Sequence, residues 1–151
     1  MALDETDRQL LKLIQTSLPI SPEPYREVGE ALGISEAEVI ARLRLLVENG
    51  IIRRLGGVFD SRKLGYSGAL CAMEVAGERI DEVAAVVNSF AGVTHNYLRE
   101  GPINMWFTVL APSEKKLAET LKEIRERTGI QEIMTFPAGK IYKIRVNFDL
   151  D

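Results

Sequence analysis

The stretch that decides the fold is Gly92-Val-Thr-His-Asn-Tyr-Leu-Arg99, which turns through Glu100-Gly101-Pro102 into Ile103-Asn-Met-Trp-Phe107. It contains the only histidine of the chain, His95, and the only tryptophan, Trp106. Two strand-like runs separated by glycine and proline predict a β-hairpin. The first arm is unusually polar for a strand in a compact domain.

The polar arm alternates, so that an extended chain places four residues on one face: Val93, His95, Tyr97 and Arg99. If Glu100-Gly101 forms the turn, His95 lies opposite Trp106 and Tyr97 lies opposite Asn104. Directly opposed residues point to the same side of a sheet. The pairing therefore predicts one face with an imidazole, a phenol, a guanidinium, an amide and an indole, and a shift of one residue would break that grouping.

Bulk composition excludes several classes of protein. The net charge is −3, so there is no global basic signal for nucleic acid. The single cysteine, Cys71, excludes an internal disulfide and a cysteine-based metal cluster, and its apolar neighbours predict a buried thiol. No run has the length of a membrane span and no signal-peptide pattern is found, which predicts a cytoplasmic protein.

Residues 1–65 are predicted to form a winged helix-turn-helix domain. Apolar residues at helical spacing, separated by a proline-rich loop and by Gly33, predict three helices at 3–16, 25–32 and 36–48. Ser35, with Glu38 three residues later, is a capping-box pattern for the third helix. Residues 51–59 are predicted to follow as a β arm, the wing.

Charge argues against DNA binding by this domain. Residues 1–65 contain nine basic and ten acidic side chains, and the third helix begins with Glu36 and Glu38. A recognition helix reads bases with its N-terminal residues, and affinity for the phosphates needs Lys or Arg. The domain is thus predicted to have the scaffold of a DNA-binding domain without the basic surface that DNA binding needs.

Residues 66–151 are predicted to form a ferredoxin-like βαββαβ domain. The pattern is a strand at 69–75, a helix at 79–90, the hairpin, a helix that begins after Ser113, and extended segments at 130–136 and 139–148. Two helices would cover one face of a four-stranded antiparallel sheet. The other face needs another cover, and a second chain is the usual solution.

Alternation along the strands predicts which face is open. Apolar residues 103, 105, 107 and 109 are expected under the helices, so Asn104, Trp106 and Thr108 face away with the polar arm. On the first strand the residues of matching parity are Gly68, Leu70, Ala72 and Glu74. The small side chains among them are expected to leave room for a flat ligand. The last strand is expected to separate its apolar side from its polar side, which holds Lys143, Arg145 and Asn147.

This architecture resembles the Lrp/AsnC transcription factors over the whole chain. Four motifs resemble an enzymatic branch more closely: Ile52-Arg-Arg54, Lys63-Leu-Gly-Tyr66, Gly92-Val-Thr-His-Asn-Tyr97 with Arg99, and Asn104-Met-Trp-Phe-Thr108. They are similar to the siroheme decarboxylases of the alternative haem pathway (AhbA/AhbB) and to their haem d1 relatives, the NirD, NirL, NirG and NirH proteins. The hairpin motifs are the specific part.

The resemblance implies conversion of siroheme to 12,18-didecarboxysiroheme by loss of carbon dioxide from two acetate side chains. It implies no cofactor beyond the iron-containing substrate, and assembly with a paralogous subunit as a heterodimer, or as a homodimer. Position 103 is Ile where many relatives are expected to have Tyr, which would make this chain the less active partner if that tyrosine matters. The alternative function is an Lrp/AsnC-type regulator.

Three residues are the candidate catalytic groups: His95, Tyr97 and Arg99. His95 is a candidate axial ligand to the siroheme iron or a general acid for the carbon that loses carbon dioxide, and both roles stay open. Tyr97 is a candidate for orienting a carboxylate or donating a proton, or it is an interface aromatic. Arg99 suits a bidentate carboxylate contact, or it is a solvated residue at the end of the hairpin.

Six further residues are candidates for binding the substrate: Arg53, Arg54, Asn104, Trp106, Lys143 and Arg145. The cations would hold acetate or propionate groups, or they are simply solvated. Trp106 would stack on the macrocycle edge or fill the core of a dimer. Asn104 would bond the substrate or stabilise the turn.

Overall fold

The computed structural model describes residues 2–143 and 146–150. The chain divides into two compact units, one with the residues up to Gly57 and those from Lys143 onward, the other with Val58–Tyr142. The first unit is therefore discontinuous in sequence, because the C-terminal segment groups with the N-terminal residues. A single domain boundary cannot describe this division. The division into domains at 1–65 and 66–151 stays a prediction.

The first unit is a three-helix bundle with the predicted helix-turn-helix. Its helices are α1, Glu5–Ile14; α2, Pro24–Leu32; and α3, Glu36–Glu48. The Ser35 hydroxyl accepts a hydrogen bond from the Glu38 backbone N–H at 3.2 Å, so the predicted cap of α3 is confirmed. The helices pack their apolar stripes into one small core: Leu10, Val28, Val39, Leu43 and Leu46.

The predicted wing is wrong in one respect, because residues 51–59 form no β-strand. A strand needs a neighbour that accepts its backbone hydrogen bonds, and the described part of the chain offers none to this segment. Val58 and Phe59 accordingly expose most of their side chains.

Arg42 is the charged centre of the first unit. Its guanidinium bonds Asp4 at 2.8 Å, Asp7 at 2.9 Å and Glu38 at 2.9 Å. Asp7 is 4% exposed and belongs to the capping box of α1, so this contact ties the start of α1 to α3. The carboxylates raise the pKa of Arg42, and the hydrogen bond from Arg42 lowers the pKa of Asp4.

The second unit is the predicted ferredoxin-like βαββαβ domain. Its strands are β1, Ser67–Met73; β2, Val93–Leu98; β3, Met105–Ala111; and β4, Met134–Pro137. Its helices are α4, Ile80–Asn88, which follows the 3-10 turn Gly77–Arg79, and α5, Glu114–Thr128. The antiparallel sheet has the order β2-β3-β1-β4. Inward residues of the sheet pack on both helices around buried Phe107, and the predicted parity of β3 is confirmed.

The C-terminal segment departs from the prediction, because β4 is short and residues 139–143 and 146–148 form no strand. Pro137, which has no N–H for a ladder, ends the pairing with β1. Farther along, the Phe148 backbone N–H donates to the Gln15 side-chain carbonyl oxygen at 2.9 Å, and the Gln15 side-chain N–H donates to the Phe148 carbonyl at 3.2 Å. The segment thus docks on the end of α1 instead of extending the sheet.

A β-bulge at Thr94 controls the orientation of β2. Val93 pairs with Val109 but His95 pairs with Thr108, so Thr94 is one residue too many for the ladder. Val93 therefore packs against the core while His95 turns to the other face. The prediction that Val93 and His95 share a face is wrong, because strict alternation holds only without a bulge.

The hairpin turn is longer than predicted. Arg99 N–H donates to the Asn104 carbonyl at 2.7 Å, so four residues lie between the paired ends. Pro102 would face Arg99 in the tighter turn and has no N–H to donate. The predicted partners are therefore wrong by two positions, and Tyr97 lies opposite Trp106. A shift of two keeps the side-chain parity, so the imidazole, the phenol and the indole still share a face.

Among residues 2–143 and 146–150, no helix has both the length and the apolar character needed to cross a membrane.

Replacing Arg42 by Met should destabilise the first unit by about 2 kcal/mol, because the buried Asp7 carboxylate loses its partner. The pKa of Asp4 is lowered in the folded state, so its stabilising effect is present above the ordinary carboxyl pKa and is lost as pH falls below about 4. Arg42→Met should flatten that acid dependence. Urea unfolding from pH 3 to 7 measures both effects.

The matched control is Arg26→Met, which removes an exposed arginine that pairs with Glu23 and Glu30 on the surface. It should change stability by less than about 0.5 kcal/mol. Equal losses in the two variants would contradict a special role for Arg42.

Replacing Gly92 by Ala should destabilise the second unit by about 2 kcal/mol or shift β2. A Cβ at Gly92 would lie 2.2 Å from the Leu110 carbonyl oxygen, and the Leu110 N–H donates to the Gly92 carbonyl at 2.8 Å. Thermal unfolding together with amide exchange along β2 measures the effect. Gly77→Ala is the control, since a Cβ there meets nothing within 4 Å; a loss of the same size in that variant would contradict the steric explanation.

Candidate functional site

The uncovered face of the sheet carries two rows of side chains that run across all four strands. Strand pairing places the first row at His95, Thr108, Leu70 and Phe136, and the second row at Tyr97, Trp106, Ala72 and Met134. The β2 end of each row is polar, and the β1–β4 end is apolar. Leu70, Met134 and Phe136 each expose more than a third of their surface. The face therefore has a polar half and an apolar half.

His95 stands at the polar edge, held from two sides. Its ring stacks on Tyr97 with 5.9 Å between centroids and 20° between planes. Its Nδ1 atom lies 3.0 Å from the Thr94 hydroxyl oxygen. In the part of the chain that the structure describes, Nε2 has no hydrogen-bond partner. The second nitrogen is thus the one that can meet a ligand.

Trp106 is the aromatic centre of the face. Its indole N–H donates to the Ile103 carbonyl at 3.0 Å, and its ring stacks on Phe136 at 5.9 Å and 14°. The Arg99 Cζ atom lies 5.2 Å from the ring centroid, within cation–π distance. No carboxylate among the described residues pairs with Arg99. The guanidinium therefore lies on an aromatic surface with its N–H groups available for an anion.

The room that Ala72 was predicted to leave for a flat ligand is occupied by the protein itself. Ala72 is completely buried, between Trp106 on β3 and Met134 on β4 in the pairing. The stack of Trp106 on Phe136 crosses β1 at this small residue. Space for a planar molecule on this face consequently lies toward β2.

Asn104 serves the fold. Its amide accepts from the Val75 N–H at 2.9 Å and donates to the Val75 carbonyl at 2.8 Å, which prolongs the pairing beyond the end of β1. Asn96 also makes a structural contact, because its side-chain N–H donates to the Asn88 side chain at the end of α4 at 3.0 Å. The first contact fixes the start of β3, and the second joins the middle of β2 to the end of α4.

The other predicted cations do not belong to the described part of the second unit. Arg53 and Arg54 are exposed and belong to the first unit, as does Lys143. Arg145 lies outside the described residues. Cys71 is buried beneath the sheet, where burial raises the pKa of its thiol to about 11, so it is no nucleophile at neutral pH.

Sequence reasoning assigned no role to Phe136, Thr94 or Asn96. The outward position of Phe136 depends on the register of β4. A strand of four residues has too short an alternating pattern for that register to be predicted from the sequence. Thr94 and Asn96 stand inside the quoted motif, but their roles depend on the bulge. The sequence feature that could have indicated these two residues is the polar motif at 92–97, because its polar side chains all make contacts in the structure.

Chemically, the polar half offers an imidazole nitrogen, a phenol and a guanidinium beside a large aromatic surface. This combination suits a planar, apolar molecule that carries carboxylates. The imidazole and the phenol are the groups that can donate or accept a proton there. Among the described residues, no group of three His, Cys, Asp or Glu side chains is arranged to hold a metal ion.

Two family models match the chain. Residues 63–143 match the AsnC-like ligand binding domain, and residues 7–53 match the siroheme decarboxylase NirDL-like HTH domain. The first covers the sheet with its uncovered face, and the second covers most of the three-helix unit.

Similar proteins carry the same family name. The siroheme decarboxylase alpha subunit of Nitratidesulfovibrio vulgaris is 52% identical over 99% of this chain and 84% of its own length. That of Oleidesulfovibrio alaskensis is 49% identical over 99% of this chain and 90% of its own length.

Two crystal structures of the siroheme decarboxylase NirDL are also similar. One has a TM-score of 0.72 and 32% identity over 97% of this chain and 48% of its own length. The other, a co-complex with an iron-uroporphyrin III analogue, has a TM-score of 0.70 and 34% identity over 87% of this chain and 44% of its own. The chain belongs to the siroheme decarboxylase family.

Proposed function

We propose that this chain is a subunit of a siroheme decarboxylase that converts siroheme to 12,18-didecarboxysiroheme. Each of two acetate side chains loses carbon dioxide, and a proton takes the place of the carboxylate to leave a methyl group. The substrate brings its own iron and a conjugated ring that can accept the electron pair, so no further cofactor is proposed. We place the reaction in the cytoplasm, as the sequence predicts.

The observation that carries this proposal is the polar half of the uncovered sheet. It sets His95, Tyr97 and Arg99 beside the Trp106 ring, in a chain of this family. A porphyrin-like substrate has a flat apolar ring with carboxylates on its rim. An aromatic surface bordered by a guanidinium and two proton-carrying groups is complementary to both parts of such a molecule.

Each polar residue has a proposed task. The Arg99 guanidinium, already oriented on Trp106, binds a substrate carboxylate. His95 meets the substrate through Nε2, and Tyr97, stacked on it, orients a second polar group or supplies a proton. Asn104 acts through the fold, since both ends of its amide are bound to Val75. Arg53, Arg54, Lys143 and Arg145 are proposed as further contacts for rim carboxylates.

A second subunit is part of the proposal. The apolar half of the face leaves Leu70, Met134 and Phe136 exposed, and a protein surface of this kind is normally covered. The chain spans about half of the NirDL polypeptide, so that polypeptide has room for a second unit of equal size. We propose that a paralogous subunit, or a second copy, covers the apolar half and leaves the polar half to siroheme.

We further propose that the helix-turn-helix unit does not act as a DNA reader. Arg42, a basic residue of α3, is bound to three carboxylates, and Glu36 and Glu38 stand at the start of that helix. The phosphate contacts that dominate DNA affinity need cations free of such partners. Tight, salt-sensitive binding to an operator would contradict this and favour the regulator.

Anaerobic incubation with siroheme, with and without the paralogous subunit, should release carbon dioxide in two steps seen by mass spectrometry. His95→Ala should lower the rate by about 100-fold or more, because the group facing the substrate is lost. Arg99→Ala should weaken substrate binding by about 10-fold, the value of one charge-assisted contact.

Arg26→Ala is the control for this assay, since it removes an exposed arginine from a surface pair in the first unit. It should behave as the unsubstituted chain. Absence of carbon dioxide from both mixtures would refute the proposed activity, and full activity of His95→Ala would remove that residue from the mechanism.

Siroheme should quench the emission of the single tryptophan, Trp106, in a saturable titration of the chain alone or with its partner. The reason is that the proposed position of the macrocycle brings an absorbing ring close to the indole. Arg99→Ala should shift the midpoint about 10-fold to higher siroheme. Quenching no greater than that of free tryptophan at the same absorbance would contradict binding at this face.

A further inference from the structure

The bulge places the Thr94 hydroxyl within hydrogen-bond distance of the neighbouring imidazole of His95. Thr94 is the extra residue of β2, and its hydroxyl oxygen lies 3.0 Å from Nδ1 of the following His95. In a regular strand adjacent side chains point to opposite faces. The bulge is therefore what brings the hydroxyl and the imidazole to the same place.

The direction of this bond decides what Nε2 can do. A neutral imidazole has one N–H and one acceptor nitrogen, and the partner of one nitrogen selects the state of the other. If the hydroxyl donates to Nδ1, the proton of the ring is on Nε2. If the hydroxyl accepts, Nε2 has the lone pair that an iron ligand needs.

We propose that Thr94 is a positioning residue that donates its O–H to Nδ1 and holds neutral His95 as the Nε2–H tautomer. The imidazole nitrogen is the more basic acceptor of the pair, so the O–H···N direction is favoured over N–H···O. The Tyr97 stack fixes the plane of the ring, and the Thr94 bond fixes which nitrogen faces outward.

The consequence rests on the proposed function: in the resting enzyme His95 presents an N–H donor to the carboxylates of siroheme, and no lone pair to its iron. Thr94 touches neither the substrate nor the reacting atoms in this arrangement. Its effect passes entirely through His95.

The test uses the full chain without siroheme, labelled with 15N-histidine, and records long-range 1H–15N correlations at a pH where the imidazole is neutral. The chain has a single histidine, so every signal belongs to His95. The unsubstituted chain should show mainly Nε2–H. Thr94→Val, which keeps the shape and removes the hydroxyl, should lower the ratio of Nε2–H to Nδ1–H about threefold or more.

Thr94→Ser retains the hydroxyl and should restore the original ratio, which a merely steric role of Thr94 would not predict. A chain that shows mainly Nδ1–H, or a ratio that Thr94→Val leaves unchanged, would overturn the proposal. If Thr94→Val fails to fold, Thr94→Ala removes the same hydroxyl and should lower the ratio in the same direction. Because no siroheme is present, this outcome is independent of the decarboxylation assay.

Discussion

The β-bulge at Thr94 is the constraint on which the site depends. The core of the second unit needs Val93 to point inward, and the uncovered face needs His95 to point outward. Two residues at a spacing of two cannot meet both demands in a regular strand. One extra residue resolves the conflict, and Gly92 makes it feasible because its backbone lies against Leu110, where a side chain would not fit. The packing of the core thereby sets the direction of the imidazole.

The two units use charge in opposite ways. In the first, three carboxylates bind the guanidinium of Arg42, which joins the start of α1 to α3. In the second, the Arg99 guanidinium rests on Trp106 and keeps its hydrogen-bonding groups for a ligand. The contact of Arg42 with the buried Asp7 carboxylate stabilises the three-helix unit independently of any partner.

Helical periodicity and caps predicted the helices within two residues, since both signals are local: Ser35 and Ser113 cap α3 and α5 as expected. The ferredoxin-like order was also predictable, because six alternating segments leave few arrangements. The bulge, the longer turn and the short β4 were not, since each is settled by pairing between distant parts of the chain. The parity of His95, Tyr97 and Trp106 was predicted correctly from a wrong register, because an error of two residues leaves side chains on the same face.

The polar half of the uncovered face suits a ligand with carboxylates, and the apolar half suits a protein surface. This difference decides how a substrate and a second chain would share the face. The stack of Trp106 on Phe136 over Ala72 forms the border between them. A macrocycle placed on the apolar half would lose the cation and the imidazole that its carboxylates need, and a protein surface placed on the polar half would bury Arg99 and His95 without partners, at a cost of several kcal/mol. In the arrangement that we propose, the substrate therefore takes the β2 side of the face and the second chain takes the β4 side.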